Sequence, residues 1–241
     1  MASMQAELDT LPPALQGHRA FLQTYQRTTL AVGRAIGEEV FEDPAWVQEW
    51  DVVFAQLYLD ALAAHRSGAA RVPRPWRLAL AAPSGLPALR QVLLGINAHV
   101  NFDLPQALLA VIPDRDFADP AVLARRRRDH ESIDAVLASR VAAEDLELAS
   151  GSPRTVLDRA LQPLNRASSK RFLREARQKV WHNTMQLQTA RLAGPDRYAA
   201  RLAELELLSA AKIADLLAPG QVLLRLAVAG FGVVLPPPDV G

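Results

Sequence analysis

Proline follows a capping residue at Asp43-Pro44, Asp119-Pro120 and Ser152-Pro153. Each pair reads as the first turn of a helix, because the proline ring fixes a helical φ at a position whose amide has no helical partner anyway. Between these marks the apolar residues recur at three and four: Phe21, Leu22 and Tyr25; Trp46, Trp50, Phe54 and Leu57; Leu173, Ala176, Val180, Met185 and Leu187. That is the helical period, and no stretch competes with the alternation of a strand. Helices are expected over 14–37, 44–66, 74–82, 86–112, 120–148, 153–165, 168–192, 196–217 and 220–231. The connections, such as Ala82-Pro83-Ser84-Gly85 and Ala149-Ser150-Gly151-Ser152, have the short lengths found between packed helices. The expected fold is all-α, a single-domain multi-helix bundle of about nine helices. It spans 1–241, with 1–13 and 235–241 as extended or disordered ends.

Half of the 241 residues are hydrophobic, enough to bury a substantial core. Lys plus Arg number 27 against 26 Asp plus Glu, so no net field draws the chain to nucleic acid or to an anionic membrane. The run Arg125 to Arg128 lacks interleaved aromatic residues and reads as a solvated face. With no cysteine, disulfide frameworks, thiolate zinc sites and cysteine nucleophiles are excluded together. Any metal must be held by His, Asp and Glu. The opening Met-Ala-Ser-Met-Gln-Ala-Glu-Leu-Asp has no basic stretch leading into an apolar one, which reads as a cytoplasmic protein. The most apolar segment, Val222 to Leu235, is interrupted by Arg225, Gly230 and Gly232. It falls short of the ~20 residues that span a bilayer and reads as a buried terminal helix.

Polar residues enter an otherwise apolar helical run between Leu93 and Gln106. At a spacing of four, Gly95, His99 and Asp103 form one row. Gly95 admits close approach to that row, and Pro105 removes the amide that would bond to the carbonyl of Asn101, kinking the helix beside it. Imidazole and carboxylate at this spacing suit a divalent metal or an acid/base pair, and equally a buried network that ties helices together. The same spacing returns in Asp129-His130-Glu131-Ser132-Ile133-Asp134. If the two helices are antiparallel neighbours, His99, Asp103, His130 and Asp134 converge, with Asp129 beside them, as ligands for zinc, manganese or iron. Asp51 and Tyr58 lie two turns apart among Trp46, Trp50 and Phe54. Arg177 and Trp181 share a face fit to stack a cation on an indole or to clamp an anionic ligand. His18 and His65 read as exposed helix ends and receive no role. Phosphate loops, dinucleotide fingerprints, nucleophile elbows and the His-Glu-x-x-His motif are all missing.

Several of these runs resemble a mainly actinobacterial family of helical proteins known only as a domain of unknown function. They are Phe41-x-Asp43-x-x-Trp46, Asp51-x-x-Phe54-Ala55-x-x-Tyr58, Gly95-x-Asn97-Ala98-His99-x-Asn101-x-Asp103-Leu104, Asp129-His130 ahead of Ile133, and Ala176-Arg177-x-x-x-Trp181. The resemblance covers most of the chain, and the Asn-Ala-His-x-Asn-x-Asp-Leu core is its specific part. His99 and Asp103 are also similar to the zinc-binding His-x-x-x-Asp pair of the helical phospholipase C and P1 nuclease group. Those enzymes use many more than five histidines and are exported.

Three functions fit these residues. The first is a small-molecule enzyme with an inter-helix site, a metal-dependent hydrolase built on His99, Asp103, His130 and Asp129 or Asp134 and oriented by Asn97 and Asn101. The second is a metal-free cyclase or isomerase of an apolar metabolite, held among Trp46, Trp50, Phe54 and Tyr58 with Asp51 or Asp103 as acid. The third is a non-catalytic binding or scaffold protein with a structural polar row.

Overall fold

The computed structural model describes the backbone of residues 2–149, 166–220, 222, 226 and 230–237. Among these residues every regular element is helical. The helices are α1 (Ala2–Asp9), α2 (Arg19–Gly37), α3 (Pro44–Arg66), α4 (Arg74–Leu80), α5 (Ala88–Ala98), α6 (Leu104–Val111), α7 (Asp114–Ala118), α8 (Pro120–Ala149), α9 (Arg166–Ala193) and α10 (Pro195–Leu217). A 3-10 turn, Pro13–His18, leads into α2. The helix expected over 153–165 lies outside the described residues, and of the one expected over 220–231 the described Val222 and Leu226 are helical while Gly220, Gly230 and Phe231 are not.

Two of the proline caps act as read; Ser152-Pro153 lies outside the described residues. Asp43 accepts the amide of Trp46 at 3.1 Å, and Asp119 accepts those of Ala121 and Val122 at 2.9 and 3.2 Å, satisfying donors that a helix start leaves orphaned. The first correction concerns residues 1–13, where α1 forms instead of an extended end. Met4, Leu8, Leu11 and Leu15 are all buried, so the apolar spacing continues upstream and gives α1 a face to lay against α2. Arg19 fastens it by donating to the carbonyl of Leu8 at 2.8 Å.

The run expected as one helix over 86–112 is divided. Between α5 and α6, residues His99–Asp103 form a π-turn in which the Leu104 amide reaches back five residues to the carbonyl of His99. Pro105 explains the break, because it has no amide to return to Asn101, and the wider turn absorbs the mismatch. Gly95 admits a close neighbour as expected, namely the Phe21 ring of α2; a Cβ at Gly95 would lie 2.3 Å from Phe21 Cγ.

The core divides into three clusters. One gathers Phe21, Tyr25, Tyr58, Trp76 and Leu94. A second gathers Trp46, Trp50, Leu104, Leu108 and Trp181. The third joins Phe102, Leu109, Leu187 and Leu205 to Leu235 of the C-terminal segment. The buried terminal helix expected over 222–235 does not run its length: Gly230 to Pro237 has no regular structure, and it is held against the bundle, with Leu235 wholly buried. No helix among the described residues is long and apolar enough to cross a membrane.

Candidate functional site

His99 and Asp103 meet within the π-turn, with His99 Nδ1 2.8 Å from Asp103 Oδ2. The indole N–H of Trp76, from α4, donates to the same oxygen at 2.7 Å. With Asp103 ionised, its Oδ2 accepts from both the indole and Nδ1, and Nε2 is left bare. This is the carboxylate–imidazole geometry that fixes a histidine's tautomer and frees its far nitrogen for work. All three side chains are buried. Burial holds the His99 imidazole below its ordinary pKa, although Asp103 opposes the shift. It likewise pushes the Asp103 carboxyl up against the hydrogen bonds of His99 and Trp76. Burial disfavours charge on both groups, while their mutual hydrogen bond and that of Trp76 favour the carboxylate.

A wall of rings encloses the dyad. Phe54 of α3 stacks on His99 with centroids 3.5 Å apart and planes at 4°. Tyr25 of α2 meets it edge-on at 4.5 Å, Trp76 lies at 5.9 Å and Tyr58 at 6.0 Å. Polar atoms in this wall find no protein partner. His99 Nε2, both nitrogens of His18 and the hydroxyl of Tyr58 are buried and unbonded, while the Tyr25 hydroxyl lies against Thr29. Burial, then the nearby Asp51 and Asp103, keeps the Tyr25 hydroxyl protonated far beyond its usual range, and burial does the same to Tyr58. Desolvation lowers His18 to about 3 and raises Asp51 to about 6.

The other sequence candidates go elsewhere. Asp129 accepts the backbone amides of Glu42 and Asp43 at 2.7 and 2.9 Å, pinning the chain just before α3. Asp134 pairs with Arg177 at 3.2 Å. His130 is fully buried between Trp50 and Trp181, at ring separations of 5.5 and 5.7 Å, and neither of its nitrogens is bonded. The four-ligand set His99, Asp103, His130 and Asp134 is therefore not assembled. Among the described residues no three His, Asp or Glu side chains lie together as metal ligands, because each acid of the second run is taken up by another neighbour. Arg177 likewise serves Asp134, and the arginine that covers an indole is Arg126, 4.9 Å over Trp46. Trp46 and Trp50 belong to the second core cluster, apart from the Tyr25, Tyr58 and Trp76 group.

Asn97 and Asn101 do not orient His99. Asn97 donates to the carbonyl of Leu93 at 2.8 Å. Asn101 donates to Asn97 at 3.0 Å and to the carbonyl of Phe231 at 3.2 Å. Tyr25, Trp76 and His18 are the residues that sequence reasoning passed over. A signal for His18 was present, since it stands three residues after Leu15 and three before Phe21, on the face that becomes buried. A surface cavity of about 430 Å³ opens away from the dyad, over Asp43, Trp46, Glu49 and Arg126. Its Arg126 is already neutralised by Asp43 and Asp116.

Neither the curated proteins nor the solved structures contain a match to this chain. Residues 1–219 do match the model of a family of unknown function, DUF5995, and the chain belongs to that family.

Proposed function

We propose that this protein is a small-molecule enzyme that moves a proton on an apolar metabolite without a metal, as an isomerase or cyclase does, and that His99 is its base. One observation carries this reading. The nitrogen of His99 that is free to act lies buried among rings, while its other nitrogen is held by Asp103 and, through Asp103, by Trp76. A purely structural network would use its buried polar atoms on one another, whereas here several are unbonded and border the same rings. The metal-dependent alternative lacks support in the donor set, since Asp103 Oδ2 is already shared with two partners and no third acid or histidine among the described residues joins it.

The chemistry follows from the groups present. Neutral His99 accepts a proton from substrate carbon at Nε2, and the Asp103 carboxylate stabilises the imidazolium that forms. The hydroxyls of Tyr25 and Tyr58 stay protonated and donate to the substrate oxygen that gains charge. His99 then returns the proton to a different carbon: the far end of the enolate in an isomerisation, or, in a ring closure, the acceptor carbon whose double-bond pair the new bond displaces. We read the Asn97-Ala98-His99-x-Asn101-x-Asp103-Leu104 run as the family's signature for this arrangement.

Incubation of the protein with an apolar metabolite extract in D2O tests the proposal. Mass spectrometry should find a compound that gains deuterium at carbon, or rearranges at constant mass. The rate should fall about 100- to 10,000-fold in His99→Gln and be unchanged by EDTA. No such compound, or the same rate in His99→Gln, overturns the proposal.

A further inference from the structure

Five rings surround the His99 imidazole: Phe21, Tyr25, Phe54, Tyr58 and Trp76, with centroids between 3.5 and 6.3 Å away. Four of them are buried, and Phe54 of α3 alone is partly exposed to solvent. Phe54 is also the nearest, lying parallel to the imidazole at 3.5 Å. It packs against both the first and the second core cluster, and so does Val100, the partly exposed neighbour of His99 in sequence. The seam between the two clusters therefore reaches the surface at these two side chains. His99 itself is 3% exposed, so a ligand that reaches it displaces a side chain, and Phe54 is the ring that can leave without crossing the core.

Taking the His99 box as the site proposed above, we infer that Phe54 is a plug standing where a flat ring of the ligand binds: it swings outward to solvent, and the ligand's ring stacks on the imidazole face in its place. An aromatic side chain on a helix has two common χ1 wells, at about 180° and −60°, so an alternative to the stacked arrangement is at hand. The vacated slot has the imidazole face as its floor. The Tyr25 ring bounds it edge-on, 4.5 Å from His99 and 6.0 Å from Phe54. Planes at 4° and a separation of 3.5 Å favour a planar group over a puckered, thicker one. The ligand class follows. A proton reaches Nε2 in the plane of the imidazole, whereas the stacked ring lies over its face, so the reacting carbon sits on a side group beyond the ring. The ligand is an apolar molecule with an aromatic or conjugated ring and an enolisable carbonyl side group.

Benzylacetone, which carries a flat ring and an enolisable ketone, is the probe, and the same ketone with its ring hydrogenated is the puckered counterpart. In the full-length chain with para-fluorophenylalanine in place of Phe54, benzylacetone should move the fluorine NMR resonance toward its position in the urea-unfolded chain. The hydrogenated ketone should need a concentration about three- to ten-fold higher for the same shift. In the unaltered protein benzylacetone should slow acylation of His99 by diethyl pyrocarbonate, with the modified histidines mapped by mass spectrometry. In Phe54→Ala, which leaves the slot open, His99 should be acylated about ten-fold faster than in the unaltered protein. His130, between Trp50 and Trp181 in the second cluster, should not change.

A fluorine resonance that stays in place up to the solubility of benzylacetone overturns the plug. So does a His99 rate in Phe54→Ala that is unchanged, or whose rise His130 matches. Equal affinity for the two ketones overturns the flat-ring class. Neither readout requires turnover, so displacement of Phe54 with no deuterium gained at carbon keeps the slot and removes only the proposed chemistry. Exchange with Phe54 unmoved removes the slot alone.

Discussion

His18 carries the sharpest consequence of burial at the scale of one residue. Its imidazole sits 5.0 Å from the Phe21 ring and 5.8 Å from Tyr58, with neither nitrogen bonded, and desolvation lowers it from 6.5 to about 3. The folded chain therefore binds fewer protons at this site than the unfolded chain does. The stability contributed by keeping His18 neutral is complete above its unfolded value and is lost as pH falls from 6.5 toward 3. Urea unfolding of the wild type and of His18→Phe at pH 7 and pH 5 checks this: the wild type should lose about 2 kcal/mol more than the variant over that interval. Equal losses would mean that His18 is solvated. The pairing of His99 with Asp103 was legible because a spacing of four places both on one helical row whatever the rest of the chain does. Trp76 was not, because its indole reaches Asp103 from a separate helix and only packing brings it there.

At the scale of the element, α5 owes its position to the absence of a side chain. Gly95→Ala would drive a methyl group into the Phe21 ring. The variant should lose about 1–3 kcal/mol despite alanine's better helix propensity. In the Phe21→Leu background the same change should cost less, by about 1 kcal/mol or more, and a thermal-unfolding double-mutant cycle reads the difference. Additive losses would place Phe21 elsewhere. The helical period and the capping prolines revealed α3 and α10 almost to the residue, since those signals are local. The run at 129–134 misled for the opposite reason. Its His-x-x-x-Asp spacing copies that of His99 and Asp103, yet function depends on what neighbouring elements supply, and here they supply backbone amides to Asp129 and a guanidinium to Asp134.

Asp129 acts at the scale of the whole molecule, joining α8 to chain more than eighty residues earlier in sequence. Replacing it with alanine leaves two amides without their carboxylate and should destabilise the fold by about 2–4 kcal/mol, measured as a lower denaturant midpoint. The proton transfer proposed for His99 should survive in the folded fraction. Loss of that chemistry at unchanged stability would return Asp129 to the active site. The all-α architecture was readable because each helix announces itself. The hold on Gly230 to Pro237 was not, since it depends on side chains of other elements, Asn183 fifty residues before Val233 among them.

The division of the core also gives the protein two separate optical reporters. Of its four tryptophans, Trp46, Trp50 and Trp181 lie in the cluster around His130, while Trp76 alone touches Asp103. Indole emission shifts with the polarity around the ring and is quenched by a neighbouring imidazolium. With the other three replaced by phenylalanine, the fluorescence of the chain becomes the signal of Trp76, read beside His99 without any label.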